Sequence, residues 1–139
     1  MADISQIMIS AVDYARLEPM IRDAVASGTA ARDLLCTLKS KIDQGQVVEP
    51  GDMPGDVVTM NSLVRVRDLE TEEVETYTLV YPAFADIAKR CLSILTPVGI
   101  ALLGSRQGET IESTTLLSLS RLRVEQVEFQ PEGAGQYDV

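Results

Sequence analysis

The chain contains no histidine. An imidazole base, an imidazole metal ligand and a Cys–His nucleophile pair are therefore excluded. The two cysteines, Cys36 and Cys91, stand alone, with no second thiol at metal-ligand spacing. Both lie among apolar residues and read as small core side chains in a reducing compartment. Carboxylates remain. Paired acidic side chains on an exposed tip can hold a hard divalent cation, which needs oxygen ligands. Asp23 and Asp33 flank one such tip, residues 26–31, but the tip itself has no carboxylate, and the two aspartates read as ordinary helix charges. The run Glu70, Glu72, Glu73 and Glu75 could dock a basic partner, and reads first as a solvated turn and strand face. Asn61-Ser62 reads as a turn between strands. In Leu95-Thr96-Pro97-Val98, a hydroxyl followed by proline starts a helix.

Composition bounds the rest. At 139 residues and 45% hydrophobic content, the chain can bury a core and suits one compact domain with an appendage. Only 4% of residues are aromatic and there is no Trp, so Val, Leu, Ile and Ala must build that core. The net charge is −9, and the basic residues are scattered. A duplex-binding surface needs clustered cations, so direct, specific nucleic-acid binding is not expected. No basic stretch followed by an apolar run opens the chain, and no apolar run is long enough to span a membrane. A cytoplasmic protein without a cofactor or a metal site is the expectation. The oligomeric state is left open.

The elements that must position these residues follow from periodicity. Residues 6–10 alternate as a short extended segment. Asp13 is a candidate cap for a helix to about residue 25, with Tyr14, Leu17, Ile21 and Ala24 on one stripe. Pro19 should kink that helix or delay its start. Thr29 is a candidate cap for a second helix over residues 30–44, with Leu34, Leu35, Leu38 and Ile42 as its stripe and Gly45 as its stop. The two form an antiparallel hairpin with arms on the order of 20 Å. The expected division is a hairpin over residues 1–46, a Pro/Gly linker over 47–56 and a sheet domain over 57–139. Period-two patterning predicts strands at 57–60, 63–69, 73–81, 92–95, near Thr110 and at 121–129. In the last of these Leu122 and Val124 share one face and Val127 and Phe129 the other, so a bulge is expected. Pro97 at a first helical position and Gly104 at a left-handed stop enclose a short helix. The class is α+β, an antiparallel sheet on one short helix.

The order strand, Thr96-Pro97, short helix, Ala101-Leu102-Leu103-Gly104, then Gly108-Glu109 resembles the C-terminal domain of the bacterial transcript-cleavage factors GreA and GreB. A second block, Val57-Val58-Thr59-Met60-Asn61-Ser62 with Val64-Arg65-Val66 and Leu79-Val80-Tyr81-Pro82, is similar to the Rnk proteins, regulators of nucleoside diphosphate kinase. Gln130-Pro131-Glu132, Gly135 and Tyr137 fit that family too. The resemblance covers residues 47–139, and more weakly the whole chain.

It implies an FKBP-like fold for the C-terminal part and a shortened coiled coil before it. It also implies that Leu95, Thr96, Pro97 and Val98 lie on a surface that grips RNA polymerase at the rim of its secondary channel. The Gre factors carry acidic residues at a long coiled-coil tip, where they help to hold a catalytic Mg²⁺. Residues 26–31 lack them and the arms are short, so a non-enzymatic regulator is the first expectation. A GreA/GreB-like elongation factor that stimulates transcript cleavage is the second, and an interaction domain for an unrelated partner the third. The FKBP-like fold also suggests prolyl isomerase activity, which needs an aromatic-lined pocket. Phe84 and Phe129 read instead as core.

Overall fold

The computed structural model describes residues 7–28, 32–114 and 119–131. Strand β1 (Met8–Ser10) runs directly into helix α1 (Ala11–Ser27), and helix α2 (Arg32–Gln44) into strand β2 (Gln46–Val48). The two short strands pair in parallel, Ile9 opposite Val47, so the hairpin is closed at its base. Ser10, not Asp13, caps α1: the Ser10 hydroxyl oxygen accepts the Asp13 N–H at 3.2 Å. The helix passes through Pro19 without a delayed start. Proline removes the donor for the Ala15 carbonyl, and both residues are exposed, so water can reach that carbonyl. Gly28 ends α1 at φ 67°, its N–H bonded to the Ala24 carbonyl. The Thr29 cap and residues 29–31 of the expected tip lie outside the described residues.

The stripes face each other as the periodicity predicts. Leu17, Ile21 and Ala24 are buried on α1, and Leu35, Leu38 and Ile42 on α2. Tyr14 and Leu34 flank them half-buried. On the outer side the Tyr14 hydroxyl donates to Asp43 at 3.2 Å, and Lys39 pairs with Asp43 at 2.8 Å. Cys36 is exposed on α2, which corrects the core reading: it lies one position past the buried Leu35 and faces outward. Cys91 is half-buried.

A five-stranded sheet follows, in the order β5-β4-β3-β7-β6, formed by β3 (Leu63–Asp68), β4 (Val74–Val80), β5 (Cys91–Ser93), β6 (Thr110–Thr114) and β7 (Leu119–Phe129). All neighbours are antiparallel except β4 and β5. The expected bulge in β7 is present twice, because the register against β3 shifts between Leu63 and Val64 and again between Arg65 and Val66. The residues of β7 left without a partner, Glu128 and Glu125, pair with Arg65 (3.4 Å) and Arg67 (3.1 Å).

Residues 57–60 do not form the expected strand. Val57, Val58, Thr59 and Met60 are all buried, and only a single bridge, Val57 to Arg106, links them to a neighbour in ladder fashion. Burial on both sides removes the alternation that a half-exposed strand would show. Asn61 turns this segment into β3 at φ 67°, and the buried Ser62 hydroxyl accepts the Thr59 N–H at 3.0 Å. This matches the turn reading. Phe84 is 68% exposed and Phe129 37% exposed, so neither belongs to the core. The small side chains Val64, Leu79, Ile94, Leu102, Leu103 and Val124 fill the sheet's inner face instead, in one continuous cluster with the hairpin leucines. The hairpin thus packs onto the sheet domain, as two marginal helices must.

Candidate functional site

Leu95 and Thr96 follow β5 and lead into helix α3 (Pro97–Leu102), whose first two residues are Pro97 and Val98. Their geometry is fixed by a small set of side-chain-to-backbone bonds. The Ser93 hydroxyl oxygen accepts the Leu95 N–H at 3.0 Å. Thr96 Oγ1 donates to the Ser93 carbonyl at 2.8 Å and accepts the Gly99 N–H at 3.0 Å. Thr96 is therefore a true N-cap, with Pro97 at the first helical position. Gly99 is required by space: a Cβ there would lie 2.3 Å from the Ser93 carbonyl oxygen. Ser93 and Gly99, which the local reading of Leu95–Val98 does not include, complete the turn. Their signal is the spacing of three residues on either side of Thr96, which suits a cap and a close backbone approach.

The segment is anchored from below. Ile94 is buried and its N–H bonds the Val80 carbonyl at 2.9 Å. Ile100, Leu102 and Leu103 are buried beneath α3. Gly104 follows at φ 83°, its N–H bonded to Val58, and a Cβ there would meet Ile7 Cβ at 2.8 Å. Above this anchor Leu95, Thr96, Pro97 and Val98 are all half-buried and reach solvent. Val98 joins Val66, Tyr77 and Leu122 around a cleft of about 210 Å³ rimmed by Glu73 and Glu75. Pro97 joins Leu34 and Thr37 of α2 in a second cleft of about 360 Å³. The Ser93 and Thr96 hydroxyls are committed to the turn, so what the loop offers a partner is chiefly apolar: Leu95, Pro97 and Val98. Such an arrangement suits recognition rather than bond-making.

The other candidate residues are placed apart from it. Asp23 and Asp33 are exposed on the hairpin arms. Glu70, Glu72 and Glu73 are exposed around the β3–β4 turn, where the Asp68 carboxylate accepts the Glu70 and Thr71 N–H groups. Glu75 pairs with Arg90, and Glu72 with Arg67 at 3.5 Å. Phe84 and Phe129 line a separate cleft of about 380 Å³ with Arg16, Asn61 and Tyr81. Among the described residues no helix is long and apolar enough to cross a membrane.

Two buried polar links were not anticipated. Asp13 is 3% exposed, and its carboxylate accepts the Met60 N–H at 3.0 Å and the Tyr81 hydroxyl at 3.4 Å. Burial, and then the Asp13 charge, push the Tyr81 hydroxyl well above its ordinary value. Lys41 Nζ donates to the Ile100 carbonyl at 2.5 Å and to the Ala101 carbonyl at 3.1 Å. Burial pulls its ammonium down to about 8, opposed by the charge of Glu109. Neither link has a local signal, because each partner lies far along the chain.

Comparison with known proteins agrees with this geometry. A family model, "Transcription elongation factor, GreA/GreB, C-term", matches residues 53–129. The regulator of nucleoside diphosphate kinase of Escherichia coli (strain K12) is 39% identical over 132 residues, which span 94% of this chain and 95% of that protein. Transcription elongation factor GreA of Syntrophobacter fumaroxidans is 36% identical over 87 residues, 63% of this chain and 56% of that one. A solved GreA/GreB elongation factor from Nitrosomonas europaea superposes with a TM-score of 0.73 at 38% identity, covering 89% of this chain and 98% of the other. The match along nearly the whole length of both chains, hairpin included, decides the assignment: the chain belongs to the Rnk family of nucleoside diphosphate kinase regulators, transcription-related factors built on a GreA/GreB C-terminal domain.

Proposed function

We propose that this chain is a non-enzymatic transcription regulator that binds RNA polymerase near its secondary channel, with Leu95, Thr96, Pro97 and Val98 as the gripping loop. The observation that carries the reading is the Thr96-capped, Pro97-initiated turn, held by Ser93 and Gly99 so that Leu95, Pro97 and Val98 reach solvent on a rigid base. Preorganised apolar side chains of this kind bind a protein surface at low ordering cost. In this reading residues 1–46 act as a truncated coiled coil, 47–56 as the connection and 57–139 as the polymerase-binding domain. The chain would compete with Gre factors for the channel rim. Arms of 17 and 13 residues span about 26 and 20 Å at about 1.5 Å per residue. That reach, and the lack of a carboxylate in the sequence of residues 26–31, support regulation without stimulated cleavage.

The direct test is co-elution of the purified protein with core RNA polymerase, followed by challenge with a Gre factor. Displacement is expected. Unchanged co-elution at saturating Gre factor refutes competition. Thr96→Glu combined with Pro97→Ala should weaken binding while the fold is kept, and wild-type affinity in that variant refutes the role of the loop. In a stalled, backtracked elongation complex the protein should not stimulate cleavage, with a Gre factor as positive control. Cleavage at the control's rate would make it a transcript-cleavage factor.

A further inference from the structure

Lys41 sits in the last turn of α2, yet it does not serve the end of its own helix. It crosses to the sheet domain and donates to Ile100 and Ala101, the carbonyls at the C-terminal end of α3. A helix end leaves its last carbonyls without intrahelical donors and carries partial negative charge, so a cation is favoured there. The Ala101 carbonyl also takes the Ser105 hydroxyl at 2.8 Å, while the Gly104 N–H that could have served Ile100 is given to Val58. Lys41 thus completes α3 from another part of the chain. It does so at the cost of withdrawing a charged side chain from water, and with no acidic side chain in contact among the described residues: Glu109 acts on it through space, and Glu112 lines the same cleft. The other end of this six-residue helix is Thr96-Pro97, and Pro97 itself lines the cleft against Leu34 and Thr37 of α2.

We infer that Lys41 is a positioning residue: through the Ile100 and Ala101 carbonyls it fixes the helical hairpin against α3, so that hairpin and Thr96-Pro97 loop are offered to a partner as one rigid surface. Asp13 makes the second fastening, from α1 to Met60 and Tyr81. Two fastenings on different helices restrain rotation as well as separation. The functional half of this inference rests on the polymerase reading above; the mechanical half does not.

The native thiols provide the test, because Cys36 lies on the hairpin and Cys91 on β5. Spin labels at both should give one narrow distance distribution in the wild-type protein. Lys41→Met should broaden it with the far-ultraviolet spectrum unchanged, and Lys41→Arg should restore it. Lys41→Met should also weaken co-elution with core RNA polymerase on the order of tenfold, if about one hairpin placement in ten remains competent. A broad distribution in the wild type, or a narrow one in Lys41→Met, overturns the inference. Loss of the folded spectrum in Lys41→Met overturns it as well, by making Lys41 a folding residue. Broadening with undiminished polymerase affinity overturns the coupling to binding. If Thr96→Glu with Pro97→Ala binds polymerase normally, the loop reading fails, and the distance measurement still decides the mechanical half.

Discussion

Replacing Asp13 by alanine should cost far more than its place in the first turn of a helix suggests. As a first-turn acid it would contribute a few tenths of a kcal/mol, up to about 1 kcal/mol, through the helix dipole. It is 3% exposed, however, and holds two donors from the other part of the chain. The Met60 N–H bond at 3.0 Å is well formed and charge-assisted, a class whose net worth is about 1.5–3 kcal/mol. The Tyr81 bond at 3.4 Å is long and is assigned about 0.5 kcal/mol, at the low end for a typical bond. Alanine leaves both donors buried and also leaves a small void, so the loss should be about 3 kcal/mol. For a chain of this size that is a fall in Tm of about 10 °C. Urea unfolding followed by far-ultraviolet circular dichroism measures it, with an unchanged m-value showing that the unfolded state is not the cause. Asp13→Asn, which keeps an acceptor for Met60, should lose about half as much. Tyr81→Phe should lose less than Asp13→Ala, because the well-formed Asp13–Met60 bond is kept. A loss below about 1 kcal/mol in Asp13→Ala would refute the argument and return Asp13 to the role of a dipole-facing surface acid.

Three further outcomes follow from the same geometry. Gly99→Ala should destabilise by at least about 2 kcal/mol, because its Cβ would sit 2.3 Å from the Ser93 carbonyl; thermal unfolding checks this, and a neutral result would mean that the turn relaxes freely. Phe84→Ser should leave Tm within about 1–2 °C of wild type, because the ring is 68% exposed; a loss on the scale of a core aromatic would restore the reading from sequence. For Lys41 the folded ammonium titrates at about 8, below its ordinary value, so from about pH 8 upward the unfolded chain holds the proton that the folded chain has released. Stability from this group therefore rises with pH across that window, by on the order of 1 kcal/mol or more before the ordinary lysine range is reached. The unfolding free energy at pH 8.0 and 9.5, compared with Lys41→Met, isolates the contribution of this group; a wild-type slope no steeper than the variant's refutes it.

The parts of this molecule that could be read in advance are those whose partners are near in sequence. The leucine stripes of the hairpin show themselves every three or four residues, and Leu17, Ile21, Leu35, Leu38 and Ile42 are buried where that spacing puts them. The parity change between Val124 and Val127 announced a bulge, and β7 slips register against β3 there. Thr96 and Pro97 marked the start of α3 because capping is decided within one turn, whereas the helix ends on an extended Leu103 and the left-handed Gly104 one residue later gives its N–H to Val58. Asp13 failed for the opposite reason. A short acid near a helix start satisfies the local rule for a cap, but Ser10 already fills that position, and Asp13 bonds Met60, 47 residues away. Residues 57–60 alternate like a strand, yet burial of all four left pairing to neighbouring loops rather than to a ladder. Phe84 and Phe129 illustrate a one-way rule: large apolar side chains are favoured inside, but nothing forces each of them there when Val, Leu and Ile already fill the space.

The same division runs through the functional site. Its local half, the cap and turn that shape Leu95–Val98, is written in residues that lie close together in the chain, Ser93 to Gly99. Its other half, the placement of that turn relative to the hairpin, depends on Lys41 reaching carbonyls 59 and 60 positions away. A Lys in the last turn of a helix has an ordinary explanation in its own helix dipole, so periodicity gives no reason to look further. A motif search can therefore find the loop in any relative, but whether loop and hairpin are held as one surface turns on whether the residue at this position of α2 can still donate to the end of α3. That makes the comparison of Lys41→Arg with Lys41→Met the sharper experiment: arginine keeps the charge and the donors that methionine removes, so a narrow distance distribution in the first and a broad one in the second ties the placement of the hairpin to donation at the end of α3 and not to side-chain bulk.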